Sequence, residues 1–348
     1  MDLKMKRKRI FCAVLSIFLL CLLILLADRL LMPKYMTSSR EGALIGEYYD
    51  EIDEGRRHDV IFIGDCEVYE SFIPAIIWEE SGITSYVRGS PAQLVWQSYY
   101  LLEEMLELDS PDLVVFNVYA MNYSAQRNEA YNRMTLDGMR MSQSKISAIK
   151  ASMTEGEEMA SYILPILRFH DRWSKLSRED IEYFFWRDTV SHNGYLMQTD
   201  IVPQTYVGPY EECADHALPQ ICFDYLDKMR RLCEQKGVEL VLVKAPTNSW
   251  RYFWYDEWDA EIREYADDNC VDYYNLINEE IGLDFSHDSY DGGLHLNVYG
   301  AEKVSRFFAS LLSERYFPDM SEASDEVVAV WEEKLDEYYN EKTKETEK

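Results

Sequence analysis

The chain opens on an abrupt change of polarity. Residues 1–9, "MDLKMKRKR", hold five basic side chains and one acidic, whereas "IFCAVLSIFLLCLLILLA" (10–27) holds no charge. As a helix rising about 1.5 Å per residue, that run reaches roughly 27 Å, enough to cross the hydrocarbon of a bilayer. "DRLLMPKY" follows it, with no small-x-small cleavage pattern, so the sequence predicts a retained anchor over 10–32 and not a removed leader. The basic flank then predicts a cytoplasmic tail (1–9) and an extracytoplasmic main domain on a single-pass cell-membrane protein.

Beyond a polar juxtamembrane segment (33–57), short apolar runs rich in β-branched residues alternate with amphipathic stretches. Strands are predicted at "DVIFIG" (59–64), "ITSYVRG" (83–89), "DLVVFNV" (112–118), "VELVLVKA" (238–245) and "VDYYNL" (271–276). Helices are predicted from Pro74, over 91–108, over 218–237 with Gly237 as the terminating residue, and over 256–269. This alternation predicts an α/β domain over 58–316, a parallel sheet flanked by helices. About 120 residues rich in Met, Tyr and Trp separate the third and fourth strands. They predict a helical insertion over about 125–215, a lid or subdomain, with helical material near 141–176. The acidic end, 317–348, is predicted as a helix or tail, and within it "EEKLDEYYNEKTKETEK" (332–348) reads as a solvated helix that frays.

Charge narrows the partners. At −28 overall, with a basic tail that leaves the remainder more acidic still, the chain has no footprint for nucleic acid. Seven cysteines are present; Cys12 and Cys21 lie in the anchor, while Cys66, Cys213, Cys222, Cys233 and Cys270 lie beyond it. No CxxC or Cys/His spacing points to zinc. A pair such as Cys213 and Cys222 could oxidise outside the cell, but five is odd, so one thiol stays free unless it pairs between chains.

In open parallel sheets ligands gather beyond the carboxyl ends of the strands, which brings Cys66, Gly89 and the loops after "FNV" and "KAP" to one edge. A base for that edge is offered by "SHDSYDGGLHLNVYG" (286–300), where Asp288, Asp291 and His295 lie in a glycine-rich loop before a helix starting near Tyr299 and Gly300. A nucleophilic thiol needs a base, and the base needs a carboxylate to fix its tautomer. Cys66, His295 and either Asp291 or Asp288 supply these roles; Asp65 either holds the turn or joins the site. His287, Asp288, Asp291 and His295 are also metal-ligand types, but without helical spacing or a second cluster they predict neither metal nor cofactor. The aromatic run "NSWRYFWYDEW" (248–258) suits either sugar stacking, an acyl pocket or core packing.

Gly64-Asp65-Cys66 and "DGGLHLNVYG" together resemble the Gly-Asp-Ser and Asp-x-x-His blocks of the SGNH/GDSL hydrolase superfamily, over roughly 58–314 apart from the insertion. "RGS", with Gly89, is similar to that family's glycine block. The resemblance implies a flavodoxin-like sheet and an oxyanion hole drawing on Gly89 and on an asparagine, Asn122 or Asn117. It departs from the family in three places: Cys stands for Ser, Asp291 lies four residues before His295, and no Gly-x-Asn-Asp block follows the third strand. The resemblance implies a membrane-anchored ester hydrolase or O-acyl (acetyl) transferase acting on an acylated cell-surface glycan or a small ester. The alternative is a catalytically degenerate glycan-binding or assembly component beside a multi-pass membrane acyltransferase.

Overall fold

The computed structural model describes residues 3–32, 41–123, 125, 128–186, 189–204, 216–249 and 253–347, without the side chains of 3–4, 41–43, 179 and 183. Outside them lie part of the juxtamembrane segment, Cys213 with the end of the expected insertion, and residues 250–252 of the aromatic run. The chain forms two units. One comprises Met1–Ser38 with Glu158–Thr189, and the other Ser39–Glu157 with Val190–Lys348.

The second unit is built on a parallel sheet of β1 (Val60–Gly64), β2 (Ser85–Gly89), β3 (Leu113–Asn117), β4 (Glu239–Lys244) and β5 (Asp272–Asn275), in the order β2-β1-β3-β4-β5. Apolar β-branched runs form β1, β3 and β4, and both faces of β1, β2 and β3 are buried. The order reverses between β1 and β3, where successive crossovers leave in opposite directions and open a crevice at the strand ends.

In chain order the helices are α1 (Leu3–Leu31), α2 (Glu41–Asp53), α3 (Cys66–Tyr69), α4 (Pro74–Ser81), α5 (Val95–Leu108), α6 (Glu129–Leu136) and α7 (Gln143–Ser152). They continue as α8 (Met159–Ile163), α9 (Ile166–Phe169), α10 (Arg178–Phe185), α11 (Gln220–Lys236), α12 (Asp256–Asn269), α13 (Val298–Leu311) and α14 (Asp325–Thr346). Pro74 opens α4, and Gly237, left-handed at φ 71°, closes α11. The helix expected from residue 91 begins only at Val95. Ser90–Leu94 is spent on a turn with Ala92 at φ 51°, and Gln97 Oε1 accepts from Leu94 N at 3.0 Å.

Segment 125–215 is divided between the units. Helices α6 and α7 pack in the second unit, on α2 and α5, whereas α8–α10 belong to the first. From Val190 the chain returns to the second unit as an irregular run reaching residue 204. In the first unit, α1 presents exposed apolar side chains from Ile10 to Leu26, and Met5–Leu31 is long and apolar enough to cross a membrane.

The expectation of a solvated, fraying C-terminal helix is corrected. Trp331 of α14 stacks on Trp78 of α4 at 5.6 Å, and the fully buried Tyr338 donates to Glu302 at 2.7 Å. Trp331, Leu335 and Tyr338 recur at helical spacing on one face, an apolar stripe concealed by the acidic residues between them. Trp331→Ala is expected to lower unfolding free energy by about 3 kcal/mol through lost burial and the cavity left on α4. Denaturant unfolding of the full chain in detergent checks this, with exposed Glu332→Ala as a near-neutral control.

Candidate active site

The first half of the site lies at the carboxyl end of β1. Asp65 caps α3, whose first residue is Cys66, buried at 7% exposure. Gly64 makes the tight exit possible, because a Cβ there would come within 2.6 Å of Val68 Cγ2 and 3.0 Å of Asn117 Cβ. Below the thiol, Asp65 Oδ1 accepts from Glu67 N and Asn117 Nδ2, each at 3.3 Å, and Oδ2 accepts from the Tyr123 hydroxyl at 2.9 Å. Asn117 Nδ2 also donates to Glu67 Oε2 (3.0 Å), and Asn117 Oδ1 accepts from Ala245 N (3.0 Å). Fully buried Lys244 closes the network, donating to both Glu67 oxygens at 2.8 Å and to Ala245 O at 2.6 Å.

The second half is the loop before α13. His295 Nε2 lies 3.2 Å from Cys66 Sγ, and His295 Nδ1 lies 2.7 Å from Asp291 Oδ2. Asp291 Oδ1 also accepts from His295 N at 2.8 Å. The extra residue between Asp291 and His295 is absorbed where Gly292 and Gly293 take φ +82° and +94°. Asp288, the alternative carboxylate, is engaged elsewhere: it accepts from Lys303 Nζ at 2.6 Å and from Asp284 N at 2.7 Å. Asn297 caps α13 by accepting from Tyr299 N and Gly300 N, while its amide donates to Asp200 O and His287 O.

A strap from the expected insertion holds these halves together. Leu196 N donates to Tyr69 O of α3 at 3.0 Å; Val298 N donates to Gln198 O at 2.7 Å; Val202 N donates to Ser289 O at 2.9 Å. Gly292 N in turn donates to Val202 O at 3.1 Å. Nothing in the alternation of apolar residues marked 196–204 as part of the site, because its bonds to α3 and to the 289–298 loop are made mostly by its backbone.

The remaining sequence candidates fall in different places. Gly89 pairs in register with Gly64, and a Cβ on it would meet Asp65 O at 3.0 Å, so it adjoins the Cys66 turn. Asn122 donates its side-chain amide to Tyr119 O, within its own 3-10 turn, and it is Asn117 that touches the Cys66 turn. Of the aromatic run, Trp254 is buried against Tyr119, while Phe253, Tyr255 and Trp258 are half-buried.

Glu70 escaped the sequence reading. One turn of α3 beyond Cys66, its Oε2 lies 3.3 Å from His295 Nδ1 and its Oε1 accepts from the Tyr290 hydroxyl at 2.6 Å. The ring of Tyr290 lies nearly parallel to that of His295, at 13° and 5.9 Å. The i, i+4 spacing from Cys66 was its available signal.

No family model and no curated protein matches the chain. Two solved structures are similar to it. One is a GDSL-like lipase from Bacteroides thetaiotaomicron, 13% identical with a TM-score of 0.37, covering 78% of this chain and 98% of that one. The other, named as an acylhydrolase and from Bacteroides fragilis, is 12% identical with a TM-score of 0.37, covering 77% of this chain and 94% of that one. At that TM-score the likeness carries no argument about chemistry.

Electrostatics sets the resting protonation. Burial, reinforced by the Asp65 charge, pushes the Cys66 thiol up to about 11, against the pull of His295. Burial alone would lower His295, but the Glu70 carboxylate, together with Asp291 and Cys66, holds it well above the usual imidazole value. Burial and neighbouring Glu67 raise Asp65 to about 7. The two directions agree on a thiol held against ionisation beside an imidazole that keeps its proton more firmly than usual. Alkylation of Cys66 by iodoacetamide, followed by peptide mass spectrometry, is expected to be slow near neutrality and to accelerate as pH rises through the elevated His295 value. Glu70→Gln removes the charge that raises His295, so its acceleration is expected at lower pH. An unshifted profile would detach Glu70 from the pair.

Proposed function

We propose that the chain is an acyl-transfer enzyme of SGNH/GDSL type that uses Cys66 as nucleophile, His295 as general base and Asp291 as the carboxylate orienting it. The observation that carries this reading is the continuous line from Asp291 through His295 to Cys66, at 2.7 and 3.2 Å. In the deprotonated pair, the Cys66 proton passes to His295 Nε2 as sulfur bonds to an ester carbonyl carbon. The tetrahedral adduct collapses by breaking the C–O ester bond, and the leaving alkoxide takes the proton from His295. Water then attacks the acyl-cysteine carbonyl, losing its proton to His295; the C–S bond breaks and the leaving Cys66 sulfur takes that proton back, giving a carboxylic acid and the thiol. A sugar hydroxyl taking the place of water gives a new ester instead. Backbone N–H groups of Cys66 and Gly89 are the proposed oxyanion donors.

The apolar run 10–27 of α1, preceded by basic residues within the same helix, supports anchoring with the second unit outside the cytoplasm. A neutral acylated glycan suits an acidic chain with half-buried aromatics at Phe253, Tyr255 and Trp258. A second reading, a non-catalytic glycan-binding component, is favoured by the elevated Cys66 thiol, which is the ordinary condition of a core cysteine.

Hydrolysis of an activated acetyl ester by the full chain in detergent, with intact-protein mass spectrometry, separates the two. Wild type is expected to accumulate one acetyl group on Cys66, Cys66→Ala none, and His295→Ala to acylate about 100-fold more slowly or worse. Equal turnover by wild type and Cys66→Ala, with no adduct, would leave the binding reading.

A further inference from the structure

We propose that residues 159–186 form a collar lying in the membrane interface, around the end of α1 that leaves the bilayer. The inference rests on the reading of α1 as a membrane anchor, and adds to it a second, peripheral contact with lipid.

Its first support is attachment within one structural unit. Asp28 near the end of α1 accepts from Ile166 N at 2.5 Å, Arg172 Nη1 donates to Leu31 O at 2.7 Å, and the Arg29 guanidinium lies 5.6 Å from the Phe184 ring centre. All three contacts fall at residues 28–31, just after the uncharged run 10–27 ends. If that run fills the hydrocarbon, geometry sets the collar at the level of the headgroups on the side opposite the basic tail.

Its second support is what the collar shows to its surroundings. Ile163, Leu167, Trp173, Ile181, Phe185 and Trp186 are each more than two-fifths exposed, with Trp173 at 73% and Trp186 at 70%. So many large apolar side chains, grouped on three short helices and a 3-10 turn, form a patch that water alone would not retain. Tryptophans beside charged residues match the headgroup level, where an indole has both an apolar body and a polar N–H to satisfy. The segment carries four basic and four acidic residues, so in a chain of net charge −28 it is locally neutral and meets little repulsion from an anionic surface. The partner is therefore the lipid interface itself, continuous with the lipid around α1.

The experiment uses the full chain reconstituted in phosphatidylcholine and phosphatidylglycerol vesicles carrying lipids brominated either near the headgroup or near the bilayer centre. Residues 1–32 contain no tryptophan, and Trp78, Trp96, Trp254 and Trp331 are buried, so the anchor itself gives no quenching signal. Shallow bromines are expected to quench tryptophan fluorescence more than deep ones, and the quenching is expected to fall at least two-fold in Trp173→Ala/Trp186→Ala. Circular dichroism and retention on the vesicles should be unchanged, since both side chains are exposed. A chain that resists carbonate extraction yet shows no quenching, or quenching unchanged in the double variant, overturns the collar and leaves the anchor standing. Release by carbonate overturns both. Quenching that appears only after a second copy or another membrane protein is competed away would assign the face to protein and equally overturn the proposal.

Discussion

A lysine ammonium buried without exposure at the carboxyl end of β4 must have an anion beside it, and Lys244 has Glu67 at 2.8 Å from both oxygens. A bare ion pair at that depth is poor compensation for lost hydration; what makes this one tolerable is that neighbouring groups complete the hydrogen bonding, with Asn117 donating to Glu67 and Ala245 O accepting from Lys244. Each partner belongs to a different strand end: Glu67 follows β1, Asn117 ends β3, and Lys244 ends β4. The network therefore fixes three loops relative to one another at the point where the sheet reverses direction, and Cys66 sits between two of its members, Asp65 and Glu67.

On that fixed floor the site is completed by a loop 229 residues away in sequence. The His295 loop owes its shape to two left-handed glycines, to Asp291 accepting from both the His295 backbone and its ring, and to Asn297 capping α13. The strap around 196–204 then bonds by backbone to α3 on one side and to the His295 loop on the other. His295 and Cys66, held by separate elements, keep their 3.2 Å separation only if those elements are coupled, and the strap supplies the coupling.

The central strands were legible because β1 and β3 are short apolar runs buried on both faces, with turn residues at their ends. Gly237 and Pro74 were legible as punctuation because backbone stereochemistry limits what else can stand there. Less was legible where long-range packing competes with local pattern. The docked face of α14 was masked by the acidic residues around Trp331 and Tyr338, and the late start of α5 by a turn that needs Ala92 at positive φ. Glu70 and Lys244 read locally as ordinary charges on a helix and at a strand end, since only the folded sheet puts them beside His295 and Glu67.

By itself, the sequence determined the parallel α/β architecture, the apolar helix long enough for a membrane, and the three residue types of the candidate site. These depend on periodicity, length and functional-group chemistry, which survive in one dimension. Tertiary structure decided that Asp291 rather than Asp288 faces His295, that Asn117 rather than Asn122 touches the Cys66 turn, and that Glu70 lies beside His295. Such choices turn on differences of a few ångströms between groups of like chemistry, and those distances exist only once strand ends far apart in the chain have been brought to a common edge.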